Sequence, residues 1–101
     1  MTTAQVVPVP TAEPDPALLA AAVLACPAVA GLASSPATYL PGSRVDGMVV
    51  GDRVGVHLVL RWPSTVFEAA AQVRAAVRPL AGGRGVDIDV TDVTDVTDVL
   101  A

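Results

Sequence analysis

The chain has 101 residues, 52% of them hydrophobic but only 3% aromatic, and six arginines face ten acidic residues for a net charge of -4. This length predicts one domain; the single Cys excludes an internal disulfide, and the apolar fraction excludes a wholly disordered chain. An acidic balance without Lys argues against nucleic-acid binding through phosphates, and one His, one thiol and scattered carboxylates leave little for a catalytic centre. With so few aromatics, the core must be built from Ala and Val, which favours helices packed closely on one face of a sheet. It also leaves apolar surface that a small monomer covers poorly, so self-association is expected.

Residues 1–14 hold Pro8, Pro10 and Pro14 and read as an extended, flexible arm. Asp15-Pro16 is a helix start, with an acceptor at the N-cap and proline at the first helical position. Ala17–Cys26 then reads as a helix stopped by Pro27, apolar all round and so buried on more than one side. A membrane-spanning helix needs about 20 apolar residues, and Pro27 interrupts this run, so no span is expected. Val23-Leu24-Ala25-Cys26 resembles a lipoprotein cleavage box, but residues 1–15 lack the basic stretch that export requires.

A short strand is predicted near Val29–Leu32, and a further extended piece near Thr38-Tyr39 before the Pro41-Gly42 turn. Arg44–Val50 and Arg53–Trp62 are β-rich runs joined by Gly51-Asp52, a two-residue hairpin signal. In the second run Val54, Val56, Leu58, Leu60 and Trp62 share one parity, and Arg53, Gly55, His57, Val59 and Arg61 the other, as in a strand with one wet face.

Thr65 and Glu68 fit a capping box, and Val66, Ala70, Val73 and Val77 recur at helical spacing as the core face of a second helix. Pro79 stops that helix, and Gly82-Gly83-Arg84-Gly85 is a flexible loop. Val86–Val90 alternates cleanly as the last strand. The following repeat puts Asp92 at the parity of the core residues, so the strand should end near Thr91–Val93. Together these elements predict an α+β domain over 15–93. It is two-layered, with a three- to four-stranded mixed sheet, including a β-hairpin, packed on one face by two α-helices. The order is α-β-β-β-α-β, and an acidic Thr-Asp-Val tail over 94–101 is expected to be disordered. If the strands flanking the second helix are parallel, the crossover should be right-handed.

The residues able to carry chemistry are few. His57 sits on the wet face with no second His or Cys spaced to share a metal or a proton. Cys26 closes an apolar helix with no cation nearby to activate it. The glycine loop lacks the phosphate-loop spacing and follows a helix instead of opening one. The aspartates from Asp87 to Asp98 lack the glycine turn and closing Glu of a calcium loop. A clamp for RNA would need a Gly-x-x-Gly loop between helices in basic surroundings, which is missing. Arg74 and Arg78 lie four apart and form a basic ridge, either an ordinary charged helix face or a contact for acids of a partner or of the chain's own tail.

Ala22-Val23-Leu24-Ala25-Cys26-Pro27-Ala28-Val29-Ala30-Gly31-Leu32 resembles the opening of the alkaline shock protein family, general-stress and envelope-stress-response proteins of Gram-positive bacteria. Tyr39-Leu40-Pro41-Gly42-Ser43-Arg44-Val45-Asp46-Gly47-Met48-Val49-Val50 and Val54–Trp62 are similar to actinobacterial members. The helix holding Ala71–Val77 and the run Val86–Val93 fit as well, so the resemblance covers about residues 17–93. Ala28 and Pro63 stand where the family pattern has glycine.

The resemblance implies a non-enzymatic, cytoplasmic, self-associating protein, a homo-oligomer of a family in which some members gather at the membrane through a membrane-anchored partner. No catalytic residue, metal or cofactor comes with the family. The expected function is therefore that of a structural or scaffolding protein of the envelope stress response acting through protein-protein contacts, with Arg74 and Arg78 as the partner contact. The alternatives from other classes are a small ligand- or metal-binding domain using His57, Cys26 or the terminal aspartates, and an accessory subunit of an enzyme complex.

Overall fold

A computed structural model describes residues 13–94. The expected arm over 1–14 and tail over 94–101 thus lie outside the described residues, apart from Glu13, Pro14 and Thr94. The elements in chain order are α1 (Pro16–Leu24), β1 (Val29–Leu32), β2 (Ala37–Leu40), β3 (Ser43–Asp46), β4 (Met48–Val50), β5 (Arg53–Arg61), α2 (Val66–Val77) and β6 (Gly85–Thr94). A 3-10 turn over Arg78–Leu80 follows α2. This is the predicted α+β order of helix, strands, helix, strand.

Both helix starts form through the local chemistry read from the sequence. Asp15 accepts a hydrogen bond from the backbone N–H of Ala17 at 2.9 Å, with Pro16 opening α1. At α2 the Glu68 N–H donates to Thr65 Oγ1 at 3.0 Å and the Thr65 N–H donates to Glu68 Oε1 at 2.8 Å, closing the capping box.

β5 organises the sheet. β6 runs parallel to it along its whole length, from Arg53 beside Gly85 to Arg61 beside Thr94. That occupies one edge of β5, so β1 and β4 share the other, end to end and both antiparallel: β1 beside Leu58–Leu60 and β4 beside Val54–Val56. Where they meet, the Ala33 N–H donates to the His57 carbonyl at 2.9 Å, and the His57 N–H donates to the Gly47 carbonyl at 2.8 Å. The chain between β1 and β4 leaves the sheet as a second hairpin, β2–β3, which reverses at the predicted Pro41-Gly42. Gly42 has φ +79°, the left-handed value that the third position of a proline-led turn demands.

The core lies between the Val54 face of the sheet and the two helices. Val54, Val56 and Leu58 pack with Leu19 and Val23 of α1 and with Val73 and Val77 of α2, all fully buried. Leu60, Ala28 and Ala69 form a smaller cluster beside it. The Ala28 N–H donates to Gln72 Oε1 at 2.8 Å, so an α2 side chain ties down the link from α1 to β1.

Several expectations need correction. The predicted strand Arg44–Val50 is two strands, because Gly47, at φ +74°, turns the chain from the hairpin into the sheet. Gly51-Asp52 does link β4 to β5, but Val50 pairs with Val54, so Arg53 opens β5 beside Gly85 of β6 and has no partner in β4. The helix α1 buries one stripe only, and Leu18 and Leu24 face outward.

On α2 the buried set is Ala69, Val73 and Val77, with Val66 55% exposed and Ala70 partly buried. Ala69 already packs on Leu60, next to the last residue of β5, so the turn that carries Val66 lies past the end of the sheet. Trp62 shares the core parity, but β5 ends at Arg61 and Trp62 is 58% exposed. Finally, β6 continues to Thr94. Val90 pairs with Leu58 and Asp92 with Val59, so Thr91 is an extra residue, a bulge. The bulge shifts the parity by one and returns Val93, not Asp92, to the position beside Leu60.

Candidate functional site

The face of the sheet opposite the helices is set by the parallel register of β5 and β6. His57 lies beside Asp89, and Gly55 beside Asp87. Arg53 reaches diagonally across and makes two hydrogen bonds to Asp87, from Nε to Oδ2 at 2.8 Å and from the guanidinium to Oδ1 at 2.9 Å. This bidentate geometry is the favourable form for an arginine and a carboxylate. Hydrogen bonding to Arg53 holds the Asp87 carboxyl below its usual range, with Arg74 adding a smaller Coulombic pull. The pair is solvent-exposed, so its energy is small.

His57 Nδ1 lies 3.2 Å from Asp89 Oδ2. The partner that the sequence did not reveal for His57 therefore comes from the neighbouring strand. The signal was present as alternation: His57 on the wet parity of β5, and Asp87 and Asp89 on the matching parity of β6. Only the register joins them. Among the described residues no group of three His, Cys, Asp or Glu side chains comes together in a way that could hold a metal ion.

Cys26 is buried at the end of α1, and its Sγ–H donates to the Ala22 carbonyl at 3.5 Å. Burial pushes the thiol pKa up, away from the thiolate that nucleophilic chemistry needs. Gly82 and Gly83 take left-handed φ values of 63° and 81° and bring the chain from the 3-10 turn into β6. No pocket is present among the described residues, and none of their helices is long and apolar enough to cross a membrane.

Arg74 and Arg78 are both exposed, at the C-terminal end of α2 and the first position of the 3-10 turn. Arg84 follows in the same connection. Among the described residues none of these three has a carboxylate within 4.0 Å, whereas Arg44 pairs with Asp46 and Arg53 with Asp87. The end of α2 thus carries Arg74 and Arg78 on its exposed surface, and Arg84 lies six residues further along the chain.

Composition led to the expectation of exposed apolar surface; that the aromatic side chains carry it is what sequence reasoning missed. The chain has one Trp, one Tyr and one Phe, and all three point outward: Phe67 is 84% exposed, Tyr39 72% and Trp62 58%. Phe67 and Val66 occupy the first turn of α2, the part that overhangs the sheet. Trp62 lies at the same end, its N–H donating to the Thr94 carbonyl at 2.9 Å. Tyr39 stands on the β2–β3 hairpin with the Arg44 guanidinium 5.6 Å from its ring centre. The signal in the sequence was the phase of α2. A stripe running through Ala69, Val73 and Val77 leaves Phe67 on the outside, but the valine at 66 drew the stripe one turn too far.

Comparison of the chain with protein-family models, with curated proteins and with solved structures found no match in any of the three.

Proposed function

We propose that this chain works by association, as a non-enzymatic scaffolding domain that binds copies of itself and a membrane-anchored partner protein. The resemblance to the alkaline shock protein family supplies the setting, the envelope stress response, in the cytoplasm. The observation that carries the reading is the placement of the aromatic side chains. A domain with so little aromatic bulk has every packing reason to bury it, yet Trp62, Phe67 and Tyr39 are all exposed. Aromatic rings carry the largest apolar area per side chain and are enriched in protein interfaces.

The test is light scattering after size exclusion, over loading concentrations from low micromolar to near millimolar. The apparent mass is expected to rise with concentration. A constant monomer mass over the whole range overturns the reading.

A further inference from the structure

We infer that α1 is a contact between copies of this chain: two copies pack their α1 helices antiparallel about a two-fold axis at Ala21. The inference rests on the association reading above and names one of its surfaces.

The first support is the outer face of α1. Leu19, Ala20 and Val23 turn inward and are buried, whereas Ala17, Leu18, Ala21, Leu24 and Ala25 are exposed. Leu18 is 57% exposed and Leu24 52%. At about 3.6 residues per turn, these five positions span an arc of about 120° with Ala21 at its centre. The helix that covers the sheet with one side is thus apolar on the other, and that side is open among the described residues.

The second support is charge, which selects a second copy as the occupant. No residue from Pro16 to Ser43 is charged, so the side chains of this face offer a partner neither an ion pair nor a hydrogen bond. A charge buried against it would be left unpaired, which is costly. Elsewhere α2 exposes Glu68, Arg74 and Arg78, the open sheet face exposes Arg53 and Asp87, and the β2–β3 hairpin exposes Arg44 and Asp46. Of these surfaces, only α1 meets its own copy with no charge to bury. Charge also sets the direction. Glu13 and Asp15 are exposed at the start of α1, and a parallel pair would bring the two acidic ends together. An antiparallel pair holds the two Asp15 residues about 18 Å apart along the axis, beyond the screening length of about 10 Å near 0.1 M salt.

The third support is shape. Leu18 and Leu24 lie three residues to either side of Ala21, and Ala17 and Ala25 lie four. The antiparallel axis therefore sets Leu18 of one copy over Ala25 of the other and Leu24 over Ala17, large against small. Ala21 meets its own copy and lets the helices approach to about 8 Å. The nine residues of α1 make a contact only about 14 Å long, so the pair buries less than the roughly 800 Å² per partner of a stable dimer. The contact is weak, which makes association depend on concentration within the micromolar range.

The experiment uses the full chain as the parent, as Leu18→Glu with Leu24→Glu, and as two single cysteine variants, Ala21→Cys on α1 and Ala75→Cys on α2. All four positions are exposed, and circular dichroism verifies the fold. Sedimentation of the parent over the micromolar range should show association, and the glutamate variant should need at least about tenfold more protein to reach it. A disulfide needs Cβ atoms about 3.5–4.5 Å apart, which the axis provides at Ala21. Under oxidised glutathione, at a concentration where the parent associates, Ala21→Cys should form a covalent dimer at least about tenfold faster than Ala75→Cys. The parent, whose Cys26 is buried, gives the background. A glutamate variant that associates like the parent, or an Ala21→Cys rate no higher than that of Ala75→Cys, overturns the α1 pairing while association itself stands. The face is then covered by residues 1–12 of the same chain or by a different protein. If the glutamate variant loses its fold, the cysteine pair decides alone. A parent that stays monomeric overturns both this inference and the association reading.

Discussion

Replacing Gly47 by Ala tests whether the seam between β1 and β4 is as tight as the backbone indicates. Gly47 has φ +74°, and a Cβ there would lie 2.6 Å from the His57 carbonyl oxygen, 2.9 Å from Leu32 Cβ and 3.1 Å from the Ala33 carbonyl oxygen. Gly42 is the internal control, with a similar φ of +79° but nothing within 4 Å of the added carbon. The left-handed backbone costs about 1–2 kcal/mol for a residue with a side chain, offset by about 0.4–1 kcal/mol from the stiffer unfolded chain. Gly42→Ala should therefore destabilise by about 0–1.6 kcal/mol. At Gly47 the neighbours are mostly backbone and cannot rotate aside. Relief requires moving the strand, which weakens the Ala33-to-His57 and His57-to-Gly47 hydrogen bonds at 2.9 and 2.8 Å. Two such bonds are worth about 0.5–1.5 kcal/mol each. The total for Gly47→Ala is then about 1–4.6 kcal/mol, about 1–3 kcal/mol more than for Gly42→Ala and a large share of the stability of a small domain. Urea unfolding followed by circular dichroism reads it directly. With a slope near 1 kcal/mol per molar, Gly42→Ala should lower the midpoint by about 1.6 M at most, and Gly47→Ala by about 1–3 M more than Gly42→Ala. Equal losses in the two variants, within about 0.5 kcal/mol, would refute the argument from close approach.

Two further predictions concern α2 and the open face of the sheet. Val73→Ala should cost about 2–3 kcal/mol, because Val73 is fully buried against β5, whereas Val66→Ala should change stability by less than about 0.5 kcal/mol. Comparable losses in urea titrations would mean that the first turn of α2 is buried. The Arg53–Asp87 pair carries a pH dependence of known sign. Its carboxyl is held below the usual range, so the pair contributes above the unfolded value near 3.9 and is lost as pH falls through the lower folded value. The thermal midpoint of Asp87→Asn should lie slightly below the parent's at neutral pH, and the gap should close in acid. A gap that persists or widens in acid would contradict the assignment.

The local instructions were legible in the sequence because each is settled within a few residues. Asp15-Pro16 and the Thr65/Glu68 pair start helices by bonding backbone N–H groups two or three positions away. The alternation from Val54 to Leu60 assigns the faces of β5 without knowledge of its neighbours. Pro41-Gly42 turns a hairpin by its own backbone preferences. The tertiary structure decided what depends on distant partners. Gly47 divides what reads as one strand because β1 already occupies the adjoining part of the β5 edge, which is visible only once both strands are paired. Thr91 bulges, and so rescues a three-residue repeat from putting Asp92 beside Leu60, because β6 follows the register of β5. Asp89 reaches His57, and Asp87 reaches Arg53, through that same register. The exposure of Phe67 and Trp62 follows from where the sheet stops, and periodicity within a helix or strand carries no information about the length of the layer it packs on.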